Sequence, residues 1–216
     1  MIKVIYEDNH LLVVEKPVNK LVQRDDTHDS DLLTELKAYL KERYNKPGNV
    51  YLGLVHRLDR PVGGVMVFAK TSKAASRLSN QIRENKMKKE YHAVICGDIN
   101  PRKGELIDYL LKDTNTNIVK VDKNGKFSKL FYVKEKCVDN LSLIHIILET
   151  GRSHQIRVQF SSRGYPLYGD QRYNKSAKVG EQIALWATRL ILEHPVTKKK
   201  MVFDSKCPGR YPWNLF

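Results

Sequence analysis

Apolar and polar positions alternate in short runs along most of the chain, and helical spacing is clear in two places. Residues 2–6 (IKVIY) and 11–15 (LLVVE) are β-rich runs on either side of the turn-forming Glu7-Asp8-Asn9-His10, which predicts an opening hairpin. After the polar segment QRDDTHDSD, Leu32, Leu33, Leu36 and Leu40 recur as on one helix face, with Ser30 or Asp29 as N-cap and an end before Pro47-Gly48. Residues 50–55 and 64–70 read as strands. Thr71 or Ser72 caps a second helix that buries Ala75, Leu78 and Ile82 and runs to about Lys86. Strand patterns follow at 90–96, 105–111, 117–121, 129–134 and 141–149, and residues 185–192 form another apolar run before His194-Pro195. SHQIRVQFSSRG reads both ways: Ser153 suits a helix cap, whereas Ile156, Val158 and Phe160 alternate as in a strand.

Strands and helices mix without regular βαβ alternation. The expected class is therefore α+β, with a mixed, mainly antiparallel sheet and flanking helices. At 216 residues, with no repeat and no linker, one domain spanning 1–216 is expected; Pro47-Gly48 is too short to be a boundary. No apolar run approaches the length of a membrane span, and the start lacks the pattern of a signal peptide. Cys96, Cys137 and Cys207 are widely spaced and form neither a CxxC nor a histidine-paired set. They suit reduced thiols in the cytoplasm, with no metal. The charge changes the picture most: a net +14 points to a polyanionic partner, because each neutralised phosphate releases counterions, although it also fits a solvated basic surface.

Three stretches carry candidate chemistry. In LVHRLDRPVGGVMVFAKTS, Pro61 extends Arg60 and Gly63-Gly64 permits a tight backbone, so Asp59 sits on a rigid turn between two buried strands. Such a carboxylate is either a held, reactive group, or a turn aspartate bonding its own backbone or paired at the surface with Arg57 or Arg60. ETGRSHQIRVQFSSRGYPLYGD gathers Arg152, His154, Gln155 and Arg157 beside apolar Ile156 and Val158, as in a half-buried polar network. KKEYHAVICG sets Tyr91 in a strand otherwise made for burial.

Taken in order and spacing, HRLDRPVGGVMVFAKT, KKEYHAVICG and TGRSHQIRVQFSSRGYPLYGDQRY resemble the three signature blocks of the RluA-type RNA pseudouridine synthases, and ALWATRLILEHPVTKKKMVF is similar to that family's closing block. The resemblance runs from about Val4 to Pro208. It departs at Pro61-Val62-Gly63, where the family often has an acid-threonine-serine step. It implies a sheet cut by a central RNA-binding cleft and a cofactor-free isomerisation of uridine in ribosomal or transfer RNA. Because the resemblance begins at about Val4, the separate N-terminal RNA-binding domain that some members carry is not expected. By position, Asp59 matches the catalytic aspartate, Tyr91 the active-site tyrosine that stacks on the target base and is also a candidate base, and Arg157 the arginine that pairs with the aspartate. Arg57 matches the arginine that holds the duplex open.

The chemistry suits these roles. A uridine has to leave the stack to react, and an aromatic ring offers it a new one. An aspartate in a water-poor pocket tends to take up a proton, and an arginine beside it keeps it ionised. The carboxylate then attacks ribose or base, or abstracts a proton; the sequence leaves the three open.

Arg60, Arg152, His154 and Gln155 complete the expected RNA-binding set, with His154 and Gln155 also suited to bracing the loop. His56 fits either a phosphate contact or local packing. Lys86, Lys88 and Lys89 fit either a solvated face or phosphate contacts. A zinc set of His28, His56 and His154 has nothing but residue type behind it. The expected protein is a monomer acting on RNA, with no membrane or DNA partner. The competing readings are a non-catalytic RNA-binding protein that kept the fold, and a phosphate-ester hydrolase built on His56 and Arg57.

Overall fold

The structure is a computed structural model that describes every residue except Met1, Asp26, Thr27 and His28. It divides into two compact units, Met1–Met87 with Arg189–Ser205, and Lys88–Thr188 with Lys206–Phe216. The divisions fall at strand ends and inside one strand, where composition carries no signal.

In the first unit β1 (Lys3–Glu7) and β2 (Leu11–Lys16) form the opening hairpin, with Asp8 accepting from the amides of His10 and Leu11 across the turn. β2 pairs antiparallel with β4 (Gly63–Ala69), and β3 (Gly53–Leu54) lies on the other side of β4. All seven residues of β4 are buried, which is why its sequence is a continuous apolar run. The strand expected over 50–55 shrinks to two residues.

Helix α1 (Leu32–Arg43) buries Leu32, Leu36 and Leu40. Its N-cap is Asp31, one residue later than expected; the carboxylate accepts from the Thr34 amide at 2.9 Å and the Thr34 hydroxyl at 2.7 Å. Helix α2 (Ser72–Arg83) is capped by Thr71 and buries Ala74, Leu78 and Gln81. The face is turned from the expected Ala75, Leu78 and Ile82 because the Gln81 amide clasps the main chain of Glu193, donating to its carbonyl at 2.7 Å and accepting from its amide at 2.9 Å.

The second unit is built on β5 (Lys88–Cys96), β6 (Lys103–Lys112), β7 (Val119–Val121), β8 (Lys126–Val138) and β9 (Leu141–Leu148), paired antiparallel in the order β5-β9-β8-β6-β7. One face carries Leu106, Leu130, Tyr132, Ile146 and Leu148, all buried. On it lies α3 (Gln155–Ser161), with Phe160 edge-on to Tyr132 at 5.7 Å and Val158 packed with Leu110 and Val119. The ambiguous stretch is therefore helix. Its alternation misleads because all six residues from Gln155 to Phe160 are buried, so no solvent face exists to mark the period. β10 (Leu185–Glu193) runs from the second unit into the first, where it forms a hairpin with β11 (Lys200–Asp204).

Candidate active site

Asp59 occupies the turn between β3 and β4. Its carbonyl accepts from the Val62 amide at 3.0 Å, and the apolar neighbours Leu58 and Val62 are buried while Arg57 and Arg60 are exposed. The turn is closed by Gly64, whose φ of 120° is rarely open to a side-chain-bearing residue.

Beneath it lies a group the sequence reading passed over. Lys16 ends β2 at 0% exposure, and its ammonium donates to the carbonyls of Pro17 at 3.0 Å, Arg60 at 2.9 Å and Val62 at 2.7 Å. Three protons meet three acceptors, two of them in the turn that follows Asp59. Burial pulls the Lys16 ammonium down to about 7; the Asp59 carboxylate acts against that pull and the Arg60 charge adds to it. Arg60 itself reaches out to Asp29 at 2.6 Å, an ion pair exposed on both sides. His56 points inward, its Nε2 accepting from the Val67 amide at 3.1 Å, which is the local-packing alternative.

The second group gathers around α3. Gln155 is buried, and its side chain ties the incoming loop together: Oε1 accepts from the Thr150 hydroxyl at 2.8 Å and the Arg152 amide at 3.0 Å, and Nε2 donates to the Lys129 carbonyl at 3.1 Å. His154 precedes the helix with φ 51°, and its Nδ1 lies 2.6 Å from the Tyr173 hydroxyl. Arg152 is exposed, with Nε donating to the Phe127 carbonyl at 3.0 Å.

Arg157 is buried and grips Asp170 with two parallel bonds, Nε to Oδ2 at 2.8 Å and Nη2 to Oδ1 at 2.7 Å. Its guanidinium also lies over the Tyr173 ring, 5.1 Å from the centroid. Tyr173 is thus a hub, accepting from the Val119 amide at 3.0 Å as well, and burial raises its phenol above its ordinary value. Tyr91, 7% exposed, stands in β5 opposite Ile146, on the sheet face that carries α3.

The structure therefore places Asp59, Arg57 and Arg60 on one braced turn of the first unit. It places Tyr91, Arg152, His154, Gln155 and Arg157 on one face of the second. Lys16 and Asp170 are the missed residues. The Lys-Pro step after a buried strand was the available signal for Lys16, since a lysine at a strand's inner end has to find acceptors. For Asp170 it was the glycine before it: Gly169 has φ 67°, and a side chain there would meet the Gln182 carbonyl. Among the described residues, no group of three or more His, Cys, Asp or Glu is arranged to hold a metal ion. His28 of the zinc set lies outside those residues.

This architecture is that of pseudouridylate synthase domains. The solved Human RNA Pseudouridylate Synthase Domain Containing 4 matches it with a TM-score of 0.80 over 95% of this chain and 88% of that one, at 22% identity. A model of the RNA pseudouridylate synthase family matches residues 10–162. Ribosomal large subunit pseudouridine synthase D of Zymomonas mobilis subsp. mobilis is 32% identical over 222 residues, covering 96% of this chain and 69% of the relative. Ribosomal large subunit pseudouridine synthase C of Buchnera aphidicola subsp. Acyrthosiphon pisum is 36% identical over 177 residues, covering 81% of this chain and 54% of the relative. The chain belongs to the RNA pseudouridylate synthase family.

Proposed function

We propose that the protein isomerises uridine to pseudouridine in large-subunit ribosomal RNA, with Asp59 as the catalytic group, Tyr91 against the target base and Arg157 beside the carboxylate. In that conversion the bond from ribose C1′ to uracil N1 breaks, a bond from C1′ to C5 forms, and the proton lost from C5 is balanced by one taken up at N1. Nothing is oxidised or reduced, so the chemistry asks for a nucleophile or base, a stacking surface and exclusion of water, and for no cofactor.

The observation that carries the reading is the Asp59 turn. Its following carbonyls are clamped by a fully buried lysine, a cost in desolvation that a mere RNA-binding surface has no use for. Family membership and the relatives named for ribosomal RNA supply the substrate class. The exposed arginines Arg57, Arg60 and Arg152, within a net charge of +14, suit contacts to the phosphate backbone.

The three cysteines are unpaired, which suits a reducing compartment such as the cytoplasm, and no helix among the described residues is long and apolar enough to cross a membrane. The proposed working form is a monomer. Incubation with uridine-labelled transcripts of large-subunit ribosomal RNA, and separately of transfer RNA, tests the reading by the appearance of pseudouridine. Product in transfer RNA alone moves the substrate class. Tight RNA binding with no product in either leaves the non-catalytic binder.

A further inference from the structure

Three lysines precede Tyr91, and they have different surroundings. Lys86 is exposed and pairs with Glu84 at 2.7 Å. Lys88 is exposed at the start of β5. Lys89 is half-buried, and among the described residues its ammonium has neither a hydrogen-bond nor an ion-pair partner. Burial alone lowers its affinity for the proton below the lysine norm.

Its position is defined by the sheet. Residues 89 and 91 share a face of β5, about 7 Å apart along the strand. Lys89 stands opposite Leu148, at the end of a row that runs Leu106, Leu130, Leu148. The tip reaches the loop before α3: a side chain at Gly151 would put its Cβ 2.9 Å from Lys89 Nζ. Gly151 is exposed and Lys89 half-buried, so the ammonium lies beside an exposed stretch of the loop at the end of the apolar row.

A lysine stem is flexible and a cation gains by swinging fully into water. A cation that is instead held half out of water, with no counter-charge, costs the fold energy, and an anion brought by a ligand offsets that cost. We infer that Lys89 is the phosphate anchor for the nucleotide that Tyr91 engages, its ammonium binding a non-bridging phosphodiester oxygen next to the reacting uridine. The inference rests on the reading of Tyr91 as the residue against the target base. Gly151 borders it: a side chain there would make the flexible tip of Lys89 shift.

The test uses the full chain and an unmodified transcript of large-subunit ribosomal RNA, with binding measured over a range of salt concentrations beside pseudouridine formation. Lys89→Met is expected to weaken binding about tenfold and to flatten the log–log salt slope by about one unit, the signature of one lost phosphate contact. Its thermal midpoint is expected to equal or exceed the parent's. Lys89→Arg should recover most of the affinity. Gly151→Ala, which makes the flexible lysine tip shift, should weaken binding less than Lys89→Met, and the double variant Lys89→Met with Gly151→Ala should bind no worse than Lys89→Met alone.

Parental affinity and slope in Lys89→Met overturn the anchor. So does a lowered thermal midpoint, restored by arginine, with the slope unchanged, which would make Lys89 a residue of the fold. A parent that binds the transcript and forms no pseudouridine refutes the proposed function, while the slope still decides the anchor.

Discussion

The Asp59 turn and the loop leading into α3 are both polar features held among apolar strands, and they are held in opposite ways. In the turn, one buried cation grips main-chain carbonyls, three acceptors for three protons, and the bracing passes through the backbone of Arg60 and Val62. In the loop, polar side chains do the bracing: Gln155 ties the Thr150 hydroxyl to the main chain of Arg152 and Lys129, and Asp170 takes two N–H groups of Arg157. The first arrangement braces the turn that carries the carboxylate through its main chain. The second spends its polar side chains on structure, so the same residues serve the fold and any substrate. Substitutions in the two regions should therefore separate rate from stability.

The largest effect is expected at Asp59. Asp59→Asn keeps the shape of the side chain and leaves Lys16 its three carbonyls, so stability should stay within about 1 kcal/mol of the parent. Pseudouridine formation at saturating RNA should fall by several orders of magnitude, as when a nucleophile is removed, with RNA affinity largely kept. A rate within a few fold of the parent, measured in single turnover, would remove Asp59 from the chemistry.

Asp170→Ala should do the reverse in kind. It leaves the buried Arg157 guanidinium without this counter-charge, and breaking a buried pair costs about 3 to 5 kcal/mol. Chemical denaturation should show that loss at neutral pH, accompanied by a slower reaction. A variant as stable as the parent would show that the ion pair does not hold α3 and would collapse the contrast between the two regions.

Lys16→Met comes next, and pH sharpens it. Lys16 has its ordinary proton affinity, 10.5, in the unfolded chain and about 7 in the fold. Between those values the unfolded chain binds the proton that the fold sheds, so the Lys16 contribution to stability grows as pH rises from about 7 towards 10.5. The methionine variant lacks that slope. In the alkaline range, where the folded lysine is an amine with two N–H groups, it removes that donor from the carbonyls, at a cost of about 2 kcal/mol. The difference between parent and variant should shrink as pH falls towards 7. Denaturation midpoints taken across that range would refute the buried, easily deprotonated lysine if the difference were flat.

The same contrast explains what could be read from the sequence. Both long helices follow from periodicity because each has one wet face, and β4 from its continuous apolar run; α3 is buried along six consecutive residues and its period carries no label. The polar residues of the loop could be picked out because four of them crowd into six positions. The brace under Asp59 could not, because Lys16 lies 43 positions earlier, and its partners are carbonyls that every residue owns. Asp170 was hidden for a related reason: a carboxylate after glycine reads as a turn until the helix that faces it is known.

The smallest effect is expected at Arg60, where two terms oppose. Arg60→Ala removes the ion pair with Asp29, whose side chains are 46% and 50% exposed, and exposed pairs of this kind contribute about 0.5 kcal/mol or less. It also removes a positive charge that presses on the buried Lys16 ammonium, which then holds its proton more firmly. The Arg60 carbonyl is main chain and still accepts from Lys16 after the substitution. Stability at neutral pH should thus move by less than about 0.5 kcal/mol, while the Lys16-dependent rise in stability begins at a higher pH than in the parent. If Arg60 also contacts the RNA backbone, the salt slope of binding falls by about one unit with the rate at saturation unchanged. A loss of several kcal/mol on this substitution would mean that the surface pair, rather than the lysine beneath it, holds the Asp59 turn in place.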